Sequence, residues 1–365
     1  MNKRTRLQMA LASLVILGAF LSYSLRSLSL NSLTSPLPKA AMDEFLFPSG
    51  AASVESPTET MVIYKNDQII YEKSKPGFNP NTPHILWSVT KSVSSVILGT
   101  LVEKNQINVN ESVCQIAPQF KDQVDCRMKL SHILEWSSGL SFLEAYEGSS
   151  DRTKSSIGQM LYGDGKNDNV EFILSHRQIY EPGKHYYYSS GDSGLILGLL
   201  KNRLSPTEYK QLPFKNLFEP LGITTATFDT DLNGQWMSGS SLYMSSRDVA
   251  KIGKLMLNNG IHQGKKLVPS DWVAYTTEVI PQFVEATSDR NWIPCRQWWR
   301  PHLKNMGLDQ IPNFPKDIYV GRGHWGQYLI IIPSMKIVAV RLGLDQKESI
   351  NEAELLKQVV QLGAN

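Results

Sequence analysis

The sequence predicts an α+β fold of the α/β-sandwich kind, an antiparallel sheet flanked by helices with an all-helical domain inserted. Three observations predict it. Met61-Val62-Ile63-Tyr64 and Ile69-Ile70-Tyr71, rich in β-branched and aromatic residues, flank Asn66-Asp67 and read as a hairpin. Tyr328 to Ile332 and Ile337 to Leu342 repeat that pattern across Pro333-Ser334 near the other end of the chain. Between them lie mostly helical segments and loops. Strands at both ends are therefore expected to share one sheet, five-stranded in type, with the middle inserted as a helical domain.

The elements follow in order. Lys3, Arg4 and Arg6 precede nineteen uncharged residues, Leu7 to Leu25, and a Ser/Leu/Pro-rich stretch runs on to Ala41. Nineteen such residues can just span a bilayer with the basic flank on the cytoplasmic side, or can serve as a cleaved signal. Either reading puts the body of the protein outside the cytoplasm, periplasmic or secreted, and the first adds a membrane tether through residues 7–25. Residues 1–41 are assigned to this signal or anchor and its linker, 42–100 and 235–365 to the sheet domain, and 101–234 to the helical domain. From Val93 the positions Val96, Ile97 and Leu101 recur at helical spacing with Ser92, Ser94, Ser95 and Gly99 between them, as expected of a helix packed on several sides. Leu130 to Trp136 and Gly194 to Leu204 read as helices of the inserted domain. A final amphipathic helix places Ile350, Ala353, Leu356 and Val360 on one face.

Composition excludes some functions. The 365 residues can bury a large core, as two domains or one large one. A formal net charge of +3 implies no basic surface for nucleic acid. The seven histidines are scattered without metal-ligand spacing, so neither a metal nor another cofactor is expected. Cys114 and Cys126 are spaced for a disulfide in an oxidising compartment, while Cys295 is remote; three unpaired cysteines are the alternative.

The chemistry is carried by Ser88-Val89-Thr90-Lys91, placed where strands give way to the long helix. If Ser88 opens that helix, Lys91 lies one turn on along the same face, where its amine can take the hydroxyl proton. Burial would lower the lysine pKa. The plainer reading is a helix N-cap serine beside a solvated lysine.

Several stretches in one order resemble the serine β-lactamase and penicillin-binding-protein-like superfamily, in its class C-like branch of esterases and 6-aminohexanoate-dimer-type hydrolases. They are Trp87 to Ser92, Leu134 to Leu140, Pro182 to Asp192 and Gly323 to Gln327, with Leu242 to Gly253 and Trp298-Trp299 between the last two. The resemblance implies a β-lactamase/transpeptidase-like fold with Ser88 as nucleophile and Lys91 as the helix lysine. Tyr188 matches the tyrosine of Y-x-N, which shuttles the proton to the leaving group, and Ser190 stands in place of the asparagine. A phenol facing an ammonium is expected to have its pKa lowered. The usual K-T-G corresponds to His324-Trp325-Gly326, so a permanent cation is replaced by an imidazole. Gly326 would let the backbone approach the substrate. The N–H groups of Ser88 and Gln327 would form the oxyanion hole.

Plainer readings stand beside these. Tyr188 sits in a run of three tyrosines that could simply pack, His324 could be a core histidine, and Trp136 and Trp298-Trp299 could be core or cleft wall. Gly191-Asp192-Ser193-Gly194 is a decoy, lacking the upstream histidine context of chymotrypsin-like proteases, and Leu195 spoils a nucleophile elbow. The implied function is a serine hydrolase acting through an acyl-enzyme on an ester or amide, with a small-molecule or peptide-like acyl substrate. The alternatives are a β-lactamase or D-Ala-D-Ala peptidase, or a catalytically silent ligand-binding protein of the cell envelope.

Overall fold

The computed structural model describes residues 38–48, 56–146, 155–288, 290–347 and 349–364. The proposed signal or anchor, residues 7–25, lies outside them. Among the described residues no helix is long and apolar enough to cross a membrane.

The elements that position the site are α1 (Pro38–Leu46), β1 (Thr58–Lys65), β2 (Gln68–Ser74), β3 (His84–Ile85), α2 (Val89–Glu103), α3 (Ser156–Tyr162), α4 (Ser190–Gly198), β4 (Thr227–Phe228), β5 (Leu242–Met244) and α5 (Ser246–Leu257). They continue with β6 (Trp292–Pro294), β7 (Trp299–Pro301), β8 (Tyr319–Gly323), β9 (Gln327–Ile332), β10 (Ile337–Gly343) and α6 (Glu352–Ala364). The main sheet has the order β2-β1-β10-β9-β8-β7-β6, so strands from both ends of the chain pair in its middle. Val62 lies opposite Val340, and Ile330 opposite Ala339, all antiparallel. Seven strands replace the expected five. The two extra ones, β6 and β7, are three residues each and end in Pro294 and Pro301, and a proline, which cannot donate to a ladder, stops each of them. Sequence periodicity has too little length there to register them.

Successive side chains of a strand face opposite sides, and here both sides are covered. Leu329, Ile331, Val338 and Val340 enter the larger core with α2, α5 and the helical region. Tyr328, Ile330, Ile332, Ile337 and Ala339 enter a second core with α1 and α6. That double coverage explains why β9 and β10 read as continuous apolar runs. In α6 the buried stripe is Leu355, Leu356, Val359 and Leu362. Ile350 precedes the helix, and with Ala353 and Val360 it packs at the margin of the core.

Two covalent or ionic ties secure the frame. Cys114 and Cys126 are disulfide-bonded, with Cα atoms 5.4 Å apart. Closing a loop of this size stabilises a fold by about 3 kcal/mol; Cys114→Ser is expected to lose stability of that order in urea unfolding, and non-reducing peptide maps should show the link. Arg341 and Asp345 form a fully buried pair, Nη2 to Oδ1 at 2.7 Å. Arg341 also donates to the Gly326 carbonyl at 2.7 Å and to Thr58 Oγ1 at 2.9 Å, so it pins the β8–β9 turn. Arg341→Ala strands a buried carboxylate and should cost about 3–5 kcal/mol of unfolding free energy.

Candidate active site

Ser88 occupies the N-cap of α2 in helical backbone conformation, but its side chain makes no capping hydrogen bond. The hydroxyl is used elsewhere. Lys91 Nζ donates to Ser88 Oγ at 2.8 Å, and Tyr188 Oη donates to the same atom at 2.8 Å. The approach to the serine is fixed by β3, which pairs with β5, and by Leu86 N–H donating to the Leu242 carbonyl at 2.8 Å. Trp87, the next residue, is forced to φ +45°, a left-handed conformation that costs a bulky residue of order 1–3 kcal/mol and persists only where surrounding structure imposes it.

Lys91 is 1% exposed. Its ammonium is also held by Ser190 Oγ at 2.9 Å and by the Gly239 carbonyl at 2.7 Å. Burial penalises the charged form and pushes its pKa down to about 8, against an upward pull from Glu144. Tyr188 behaves oppositely to the sequence expectation. Lys91 Nζ stands over its ring, 5.2 Å from the centroid, and burial drives the phenol pKa up. Desolvation and then the Glu144 charge raise it, outweighing the Ser88 hydrogen bond and the Arg322 cation that pull it down, so Tyr188 remains a protonated donor. Trp136 and Trp299 pack against it at 5.1 and 5.6 Å between ring centroids.

Ser190 links this group to a residue that sequence reasoning missed. Its hydroxyl donates to Glu144 Oε1 at 2.6 Å and its backbone N–H to Glu144 Oε2 at 2.8 Å, placing the carboxylate at the N-terminus of α4, where the helix dipole favours negative charge. Glu144 lies in a loop without periodicity or motif, so nothing in the sequence pointed to it. Tyr146, from the same loop, hydrogen-bonds Glu144 and stacks on His324 at 5.4 Å, bridging the site from the helical side to the sheet. Because the Glu144 charge raises the Lys91 pKa, Glu144→Gln is expected to move the rising limb of the pH–rate profile to lower pH; an unmoved limb would exclude this electrostatic role.

The His324-Trp325-Gly326 segment meets two recesses, and His324 lines both. His324 lines a cleft with Ser88, Ser190 and Tyr146. Trp325 and Gly326 line a second recess beside Asp345 and Tyr328. Gly326 has φ +81°, and a Cβ there would fall 2.2 Å from both Arg341 Nη1 and Asp345 Oδ2. Its missing side chain thus makes room for the buried ion pair. Gln327 is fully buried, opposite Gly323, and its side-chain amide donates to the carbonyls of His324, Trp325 and Gly343. Trp298 is core, and Trp136 is a buried wall behind Tyr188. The decoy serine, Ser193, is fully buried and hydrogen-bonded to Trp136 and Gln297.

Comparison with known proteins finds relatives along most of the chain. The beta-lactamase family model matches residues 50–355. The 6-aminohexanoate-dimer hydrolase of Paenarthrobacter ureafaciens is 23% identical over 271 residues, 70% of this chain and 68% of that protein. A candidate D-alanyl-D-alanine carboxypeptidase of Salmonella agona is 22% identical over 58% of this chain and 59% of its own length. Among solved structures, a candidate 6-aminohexanoate-dimer hydrolase from Bacillus anthracis superposes with a TM-score of 0.71 at 19% identity, covering 90% of this chain and 81% of that one.

Proposed function

The chain belongs to the beta-lactamase family, and on that premise we propose that this serine hydrolase cleaves an ester or amide through an acyl-enzyme on Ser88. The observation that carries the reading is the pair of 2.8 Å contacts on Ser88 Oγ, one from a buried lysine and one from a partly buried phenol. Neutral Lys91 takes the Ser88 proton as Oγ bonds to the acyl carbon. Tyr188 gives its phenolic proton to the departing oxygen or nitrogen as the old acyl bond breaks, and Lys91 returns a proton to Tyr188. The N–H of Ser88, with that of Gln327 as the family resemblance suggests, stabilises the oxyanion. Water then attacks the ester carbon and frees Ser88.

Labelling tests this directly. The full chain exposed to a fluorophosphonate probe should gain one adduct, mapped to the peptide holding Ser88; no adduct on folded protein would refute an activated serine. The pH dependence follows from Lys91. As a base it must be unprotonated, so kcat/KM toward a p-nitrophenyl ester should rise as pH passes about 8 and level off above it. A profile flat from pH 6 to 10 would remove Lys91 as the base.

The Salmonella relative supports a second reading, a D-Ala-D-Ala carboxypeptidase. It is disfavoured because His324 occupies the position from which a lysine would grip the substrate carboxylate. Turnover of a D-Ala-D-Ala peptide above that of simple esters would reverse this ranking. The N-terminal segment and the Cys114–Cys126 bond together support a place outside the reducing cytoplasm, checked by fractionating cells expressing the full chain.

A further inference from the structure

The cleft beside Ser88 has a volume of about 280 Å³, and its wall is mostly apolar. Tyr146 closes one side, and α3 supplies Ile157, Gly158, Leu161 and Tyr162. No Asp, Glu, Lys or Arg is among the described residues that line it. Ile157 is buried, whereas the Tyr162 ring is 73% exposed and stands at the rim. Tyr188 is not part of this wall and packs toward Trp136 and Trp299. A leaving group that receives its proton from Tyr188 must depart on that side, so the acyl portion is left with the apolar cleft.

We propose that this cleft is an acyl pocket for an uncharged apolar chain of medium length, and that Gly158 sets its depth. The proposal rests on the serine-hydrolase reading and names its substrate class: Ser88 Oγ gains the acyl carbon, the alcohol or amine leaves with the proton relayed from Ser88, and the chain lies along α3. At roughly 30 Å³ for each heavy atom, the space a water takes in the liquid, the cleft holds on the order of nine such atoms, a hexanoyl to octanoyl group. Gly158 is not required by its own backbone. It lies inside a helix, where glycine is unfavourable, and a Cβ there would meet only Ser155, at 3.4 Å or more. What the glycine preserves is space.

The test is a p-nitrophenyl ester series from acetate to octanoate on the full chain. Each buried methylene is expected to raise kcat/KM by up to about fourfold, giving at least a tenfold rise from acetate to hexanoate. The adipate monoester, as long as hexanoate but ending in a carboxylate, should be at least tenfold slower than hexanoate. Gly158→Leu should reduce the hexanoate-to-acetate ratio fivefold or more, and Tyr162→Ala, a change at an exposed rim position, should reduce it less. Acetate turnover with no dependence on chain length, or equal rates for hexanoate and adipate, would overturn the acyl pocket while leaving the hydrolase intact. Absence of both turnover and phosphonate labelling at Ser88 would overturn the hydrolase reading and this proposal together.

Discussion

Replacing Lys91 with methionine is expected to lower kcat/KM toward an activated ester by about four orders of magnitude. Its amine is the only nitrogen base within hydrogen-bonding distance of Ser88 Oγ among the described residues, and the serine is a poor nucleophile without it. The chain should nevertheless fold. Methionine matches the length of the lysine stem and brings no charge whose burial would have to be offset. Against this, the Gly239 carbonyl loses its donor, at a cost of about 1–3 kcal/mol. Thermal melts beside initial rates separate the two effects. A folded variant keeping a tenth of the wild-type rate would mean that another group activates Ser88.

Tyr188→Phe should lower kcat/KM by about a hundredfold or more, and the loss should depend on the leaving group. The burial that keeps the phenol protonated makes it a donor, to Ser88 Oγ at rest and to the departing atom during the reaction. Nitrophenolate departs readily without a proton, whereas an amine or alkoxide does not. The variant should therefore lose more against an anilide or alkyl ester than against a p-nitrophenyl ester. Equal losses for both would assign Tyr188 to orienting Ser88 and would remove it from proton delivery. Stacking on Trp136 and Trp299 is retained by phenylalanine, so packing does not confound the comparison.

Much of the fold was legible because its signals are local. Two β-rich hairpins, one near each end of the chain, implied a shared sheet, and β1 does pair with β10. The short strands β6 and β7 were not legible, since three residues cannot show a period. The site divides in the same way. Ser88 and Lys91 are one helical turn apart, so their contact follows from spacing alone. Tyr188 and Ser190 were found only by family resemblance, because a sequence separation of about a hundred residues carries no physical signal of contact. Glu144 and Tyr146 had neither spacing nor motif to mark them.

By itself the sequence determined the strand and helix periods, the serine–lysine pair and the tyrosine run, since each is a matter of residue type and local spacing. Only the tertiary structure decided the protonation states and the shape of the cleft. Burial lowers the pKa of Lys91 and raises that of Tyr188, and burial is a property of everything packed around a residue. Likewise the room beside Ser88 exists because α3 brings Gly158 and Ile157 against a serine some seventy residues earlier in the chain, a meeting that packing alone sets.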